Sequence, residues 1–343
     1  MDLLLLLSFV FIVAFILDRL FRKLKIGDFE SRYVLITGCD SGFGHELAKK
    51  LEKLGFNVFA GCLTKAAVEK FNQTSSSKLK AIEMDVSKDT GIEKAMEILQ
   101  RTLPGGKGLW AVVNNAGILG GIGSIKLHTR QDYENTLAVN LYGVIMVTKA
   151  CMPLVLKEKG RIVNTAMFWE ESRFLNSSYC ISKYGVEAFS DVLRREHYRT
   201  GVKVQIIEPG AFKTPIFGRG YIRRMAENKV ASLPAEIRSQ LPNDAVGQLE
   251  GSIHRLEETG STNIHIVVDA YIHAITAKFP KKRIPMLVYK LDVLDLEHYF
   301  RRSTCCDTQP KVRFCCACKF LQQLPSARIL QTYLHVTLLI EPK

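Results

Sequence analysis

No segment of the 343-residue chain repeats and no tract is of low complexity, so repeat-built and disordered architectures drop out. Paired CxxC motifs are also missing, and no His lies among the crowded tail cysteines Cys305, Cys306, Cys315, Cys316 and Cys318. A secreted disulfide framework and a metal site are therefore not expected, and surface or lipid-modified thiols are. Cys39, Cys62, Cys151 and Cys180 fall on or beside predicted core elements. Acidic residues are in deficit, 34 against 47 basic ones, for a formal charge of +13. The cations are scattered, and the densest run, Lys281-Lys282-Arg283, has no stacking aromatics between them. That pattern argues against nucleic acid and for attraction to anionic lipid headgroups.

What is present is an ordinary globular composition, 47% hydrophobic and 24% charged, behind an apolar N-terminus. Leu3 to Leu17 carries no charge, and Leu20 and Phe21 continue the run past Asp18-Arg19. Fifteen helical residues reach only about 22 Å against roughly 30 Å of hydrocarbon, so spanning requires the flank as well. A cleaved signal peptide is the rival, but Asp2 stands where a basic n-region is expected and no small-x-small site precedes the fold. Residues 1–26 are read as a membrane anchor with a basic flank, Arg19, Arg22, Lys23 and Lys25, which puts the folded part on the cytoplasmic side.

After Gly27 short β-branched runs alternate with helical-period stretches, the pattern of βαβ units. Strands are predicted at Tyr33–Thr37, Asn57–Gly61, Leu79–Met84, Leu109–Asn114, Arg161–Thr165 and Lys203–Glu208, and helices at Glu46–Leu54, Ala66–Thr74, Thr90–Leu103, Asp132–Lys157, Tyr179–Thr200 and Ile264–Ala277. The expected fold is α/β, a doubly wound parallel sheet of Rossmann type in one domain over residues 27–286, following an N-terminal membrane helix. Residues 213–260 read as a lid or substrate loop, and 287–343 as an unassigned extension.

Two sites carry chemistry. Thr37-Gly38-Cys39-Asp40-Ser41-Gly42-Phe43-Gly44 lies between the first strand and a helix, where glycines admit a pyrophosphate to a helix N-terminus. Tyr179 and Lys183 are spaced i, i+4 on one helix face. An ammonium beside a phenol favours phenolate, so the Tyr can exchange a proton with a substrate hydroxyl or carbonyl near neutral pH.

With Asn114-Asn115-Ala116-Gly117, Asn140, and Pro209-Gly210 followed by Thr214, these motifs stand in one order over roughly Ser31 to Arg283, and the chain resembles the short-chain dehydrogenase/reductase family. Gly108-Leu109-Trp110, the run Tyr184 to Asp191 and the run Val204 to Gly210 are similar to its branch of retinol, 17β-hydroxysteroid and 3-hydroxybutyrate dehydrogenases. The resemblance implies a catalytic set of Tyr179, Lys183 and Asn140, with Asn140 holding a relay water. It places Asn115 and Gly117 by the adenosine ribose, Asp85 by the adenine, Ala116, Pro209 and Gly210 at the cofactor, and Thr214 by the nicotinamide carboxamide. Asp85 capping a helix and Asn140 satisfying backbone groups are the plain alternatives. Acidic Asp40, and the absence of a base at Cys62-Leu63, favour NAD over NADP, with Lys65 near enough to blur the choice.

The family's catalytic Ser, twelve residues before the Tyr, is Met167 here. A thioether donates no hydrogen bond, so either the chain is an oxidoreductase in which Tyr179 and Lys183 suffice or a loop residue such as Ser172, Ser177 or Ser178 supplies the donor, or it is a nucleotide-binding pseudoenzyme and interaction module. An attenuated oxidoreductase is the leading expectation. Its expected substrate is a lipophilic alcohol, a steroid or retinoid, with 3-hydroxybutyrate the alternative. The endoplasmic reticulum membrane is the expected location, the mitochondrial membrane the alternative, and a homodimer the expected partner state.

Overall fold

The computed structural model describes residues 3–167 and 177–286. The extension at 287–343 and the segment containing Ser172 lie outside these residues. Helix α1 (Leu3–Lys23) precedes seven strands: β1 (Tyr33–Thr37), β2 (Asn57–Cys62), β3 (Leu79–Glu83), β4 (Ala111–Asn114), β5 (Arg161–Thr165), β6 (Lys203–Pro209) and β7 (Arg283–Met286). All pair in parallel, in the order β3-β2-β1-β4-β5-β6-β7. The order reverses between β1 and β4, and a parallel sheet of this kind opens its ligand crevice there, beyond the strands' C-terminal ends.

The strands are almost wholly buried, because helices cover both faces. On one face α2 (Gly42–Lys53) and α11 (His265–Thr276) pack over Val34, Ile36, Ala60, Val113, Val163 and Ile207. On the other, α4 (Asp89–Thr102), α6 (Gly143–Lys157) and α7 (Ser177–Glu196) cover Leu35, Phe59, Val112, Ile162 and Val204. The alternation along β1 and β6 is the period-two rule with both sides apolar. Helix α3 (Lys65–Thr74) starts at the Thr64 hydroxyl, which accepts from the Ala67 amide. Most polar groups inside are partnered. Arg161 is 1% exposed, and its guanidinium donates to the carbonyls of Ala274 and Ala277 at the C-terminal end of α11, where unpaired carbonyls welcome a cation.

Helix 132–157 of the sequence reading is two helices. Between α5 (Arg130–Leu137) and α6, the turn Ala138–Tyr142 is π-helical, a widening that often marks a functional position. Together they make a run, Arg130–Lys157, long and apolar enough to cross a membrane. Its apolar side chains Val144, Val147, Cys151 and Val155 are instead buried on the sheet.

Residues 213–260 are not a loop. They form α8 (Arg219–Ser232), the short α9 (Ala235–Arg238) and α10 (Ala245–Thr259). Ile222, Ala226 and Ile253 of this subdomain close over Leu119, Ile122, Ala211 and Phe217. Lys229 of α8, 7% exposed, pairs with Asp132 of α5 and fastens this subdomain to the core.

At the last strand, Arg283 takes Glu208 at 2.6 Å and Glu187 and Asp191 at 2.9 Å. Three carboxylates share one guanidinium, and Glu208 is the most enclosed. Burial pushes its carboxyl up to about 7 from an ordinary 4.5, with Arg283 opposing and Glu187 adding. Because the folded chain holds this proton more tightly than the unfolded one, the contribution to stability is complete below about 4.5 and is lost as pH rises through about 7. The melting temperature of Glu208→Gln, followed by circular dichroism across that window, should therefore decline less with rising pH than that of the wild type.

Candidate active site

One cavity of about 420 Å³ lies at the C-terminal ends of β1, β4, β5 and β6. Of the residues expected at the site, Gly38, Asp40, Ser41, Gly42, Phe43, Asp85, Asn115, Ala116, Gly117, Tyr179, Lys183, Pro209, Gly210 and Thr214 all line it. Thr37, Gly44 and Asn140 do not, and each instead holds the wall in place.

The Thr37 hydroxyl accepts from the amides of Asn115 and Ala116, each at 3.1 Å, which staples the end of β1 to the loop after β4. Asn115 returns the link, its amide donating to the carbonyls of Thr37 and Gly38 at 3.0 Å. The glycines are required by contact. Gly38 has φ +70°, and a Cβ there would stand 2.7 Å from the Ala116 Cα. A Cβ at Gly44 would strike the Gly38 carbonyl and the Asn115 amide. The loop thus brings bare backbone, followed by the N-terminus of α2, to the cavity, a surface that suits a phosphate.

Asp40 has a structural part. Its carboxylate accepts from the amides of Leu63 and Thr64 at 2.8 and 3.0 Å and from the Thr64 hydroxyl at 2.8 Å, bolting the loop to the end of β2. Asp85 accepts from the Ser87 amide and hydroxyl and pairs with Lys88 at 3.1 Å, so it organises the entry to α4 as well as facing the cavity.

Lys183 is 4% exposed, and its ammonium donates to the Thr165 carbonyl at 3.0 Å. Burial holds it down at about 8. It lies 5.6 Å from the centroid of the Tyr179 ring, the arrangement expected from the i, i+4 spacing. Asn140, in the π turn, is fully buried. Its amide donates to the Ile118 carbonyl at 2.9 Å and the Ser182 hydroxyl at 3.1 Å, and its oxygen accepts from the Ile118 amide at 2.8 Å. The side chain satisfies backbone groups and pins the loop that carries Gly117.

Tyr271 of α11 escaped the sequence reading. It is fully buried, its hydroxyl 2.6 Å from that of Thr165 and donating to the Asn115 oxygen at 3.3 Å. It joins the strand beneath Lys183 to the loop beneath the cofactor surface. Nothing in an apolar helix marks one tyrosine as the hydrogen-bonded one.

Met167, 8% exposed, lines the cavity where the Ser was expected. Two of the three suggested substitutes, Ser177 and Ser178, do not stand in for it. Ser177 is bonded to the Tyr133 hydroxyl at 2.8 Å and Ser178 to Thr136 at 3.2 Å, and neither lines the cavity. The wall beyond Tyr179 is Leu119, Ala211, Ile216 and Phe217.

A parallel sheet whose C-terminal edge carries a glycine-rich turn and a Tyr/Lys pair defines a dinucleotide-dependent oxidoreductase fold. The family model for short chain dehydrogenases matches residues 32–221. Retinol dehydrogenase 16 of Rattus norvegicus is 38% identical over 266 residues, 77% of this chain and 84% of the relative. The 17-beta-hydroxysteroid dehydrogenase type 6 of Bos taurus is 39% identical over 280 residues, covering 80% and 86%. The mitochondrial D-beta-hydroxybutyrate dehydrogenase of Bos taurus is 39% identical over 268 residues, covering 76% and 78%. Among solved structures, 3-ketoacyl-(acyl-carrier-protein) reductase from Brucella melitensis complexed with NADH aligns with a TM-score of 0.51 at 26% identity, covering 55% of this chain and 79% of that one. The chain belongs to the short-chain dehydrogenase family. It is an oxidoreductase acting on alcohol groups with a nicotinamide cofactor.

The Gly44 contact gives a direct test. Gly44→Ala should weaken NADH binding at least about tenfold and cost about 1–3 kcal/mol in stability through overpacking, read by fluorescence titration and urea unfolding.

Proposed function

We propose that this protein is a membrane-tethered, NAD-dependent dehydrogenase of lipophilic secondary or allylic alcohols of steroid or retinoid type, with Tyr179 exchanging the substrate proton. The observation that carries this reading is the apolar wall running from Met167 and Tyr179 through Leu119, Ile216 and Phe217 into the lid. Lys183 is the one cation among the described residues lining the cavity, and it is committed to the Thr165 carbonyl. A hydroxy acid such as 3-hydroxybutyrate brings a carboxylate that this wall does not meet with charge.

The nicotinamide, when bound, accepts or returns hydride at the carbinol carbon. Gly38, Ser41, Gly42 and Phe43 would hold its phosphates, Asn115, Ala116 and Gly117 its ribose, Asp85 its adenine end, and Pro209, Gly210 and Thr214 its nicotinamide end. The chain's own part is proton transfer. In oxidation the substrate hydroxyl gives its proton to the Tyr179 oxygen, and the Lys183 ammonium favours the phenolate that receives it. Asn140 acts by fixing the Ile118 backbone beside this pair.

Cofactor choice rests on Asp40. It stands at the end of β2, where no basic side chain lines the cavity, and Lys65 is exposed outside it. A 2′-phosphate would face a carboxylate. NAD should therefore exceed NADP by about tenfold or more in kcat/KM, and Leu63→Arg should narrow that ratio, measured with both cofactors on one substrate.

Helix α1 supports the tether. Its 21 residues reach about 31 Å, close to the roughly 30 Å of a bilayer core. Asp18 pairs with Arg22 at 2.6 Å, one turn on, so the charges near its end are internally compensated. The basic residues that follow favour a cytoplasmic domain, at the endoplasmic reticulum or, as in the hydroxybutyrate relative's name, a mitochondrial membrane. Exposed Ile181, Tyr184 and Val192 of α7 with Tyr142 supply an apolar surface suited to a second copy.

Met167 makes the activity conditional. With steroid and retinoid alcohols and NAD, the wild type should turn over slowly and Met167→Ser should raise kcat/KM by about 10²–10³, the usual worth of one such donor. Turnover that is absent in both proteins, with NADH binding intact, would favour a nucleotide-binding interaction module instead.

A further inference from the structure

A second groove, of about 620 Å³, lies at the opposite edge of the sheet, where the strands begin. It is bounded by Asp18, Phe21 and Arg22 toward the end of α1, Arg194 in the last turn of α7 with Tyr198 just beyond it, the first residues of β6, and Phe279, Pro280 and Lys282 before β7. Helix α1 is fixed to this edge: the Ile26 amide donates to the Thr276 carbonyl at 2.8 Å, the Lys278 amide to the Leu24 carbonyl at 2.7 Å, and Phe21 meets Phe279 edge-on with centroids 5.8 Å apart.

The groove is basic and incompletely paired. Asp18 is held by Arg22, and Asp191 by Arg194 and Arg283. Lys203, Lys282 and the adjoining Arg195 have no ion pair among the described residues. Lys203 donates to the Lys278 carbonyl at 2.8 Å and stands over the Phe279 ring, 6.0 Å from its centroid. Two buried polar atoms in its wall also lack partners. One is Nη2 of Arg194, a donor, and the other is Oε1 of Gln205, an acceptor on a side chain 2% exposed. Buried groups left in this state cost stability unless something bonds to them.

We infer that this groove binds the headgroup of an anionic phospholipid, its phosphate toward Arg194, Lys203 and Lys282 and its ammonium or hydroxyl donating to Gln205. The position of α1 selects a lipid as the source. Phe21 and Arg22 both end the apolar helix and line the groove, so a helix seated in a bilayer sets the groove at headgroup depth. Exposed Tyr198 and Phe279, 84% and 47% accessible, rim it as interfacial aromatics do. The inference rests on the membrane reading of α1.

The test uses the full chain in phosphatidylcholine nanodiscs with and without phosphatidylserine, each lipid in turn carrying a headgroup-proximal photocrosslinker. Wild type should crosslink to phosphatidylserine in preference to phosphatidylcholine. Lys203→Gln/Lys282→Gln should lose that yield by roughly tenfold, as expected for cations removed from an anionic surface, while keeping NADH binding and resistance to carbonate extraction. Gln205→Leu, which keeps every cation, should weaken phosphatidylserine capture but not capture of phosphatidic acid, which lacks the extra donor. Equal yields for wild type and the double variant, or for the two lipids, would overturn the site. Competition by inorganic phosphate as effective as by phosphatidylserine would overturn the lipid as its source. Extraction of the wild type by carbonate would instead defeat the membrane reading.

Discussion

A buried ammonium without a carboxylate organises the C-terminal edge of the sheet. Lys183 is held by the Thr165 carbonyl and otherwise surrounded by protein, and the cost of keeping it there is visible in the burial that brings it down to about 8. The carbonyl must therefore be well placed. The Thr165 hydroxyl is fastened to Tyr271, Tyr271 to Asn115, and Asn115 to the carbonyls of Thr37 and Gly38. Displacing any member shifts both the surface offered to the cofactor and the cation beside Tyr179. That is why residues from β1, β4, β5 and α11, far apart in sequence, behave as one unit.

The part of this that was legible came from local pattern. The buried runs of β1, β2, β5 and β6 were readable because parallel strands covered on both faces are nearly continuously apolar. The glycine turn and the Tyr179/Lys183 spacing were readable because backbone approach and helix pitch constrain neighbours in sequence. Strand β7 was not, since four residues including Pro285 carry no period, and its partner β6 decides its state. The helices of residues 213–260 were hidden for a related reason: α8 is mostly polar, and its few apolar contacts, Ile222 and Ala226, acquire meaning only against Phe217 and Ile253. The π turn at Asn140 and the role of Tyr271 depend on tertiary hydrogen bonds that no spacing encodes.

Helix α1 and the cavity occupy opposite edges of the same sheet. Helix α1 joins at Thr276 and Lys278, ahead of β7, whereas the cavity opens beyond the strands' C-termini, about 20 Å away for strands of this length. On the proposed membrane reading of α1, tethering would raise the local concentration of a bilayer-dissolved alcohol without setting the mouth of the cavity on the lipid. Helices α8 and α10, fastened to the core through Lys229 and Asp132, pack against the apolar wall of the cavity. Two surfaces with different chemistry result: a charged one beside α1 and an apolar one beside Tyr179.

In the proposed mechanism Met167 changes how the work at Tyr179 is divided. In a site with two donors, charge developing on the reacting oxygen is shared; a thioether at position 167 contributes no donor, so more of that share falls to Tyr179. A donor in a largely apolar cavity interacts more strongly than it would in water, and the ammonium of Lys183 lies 5.6 Å from the centroid of the Tyr179 ring. The missing serine and the buried lysine are therefore coupled. As Lys183 loses its proton near pH 8, the remaining hydroxyl loses the charge that compensates for the donor Met167 does not provide.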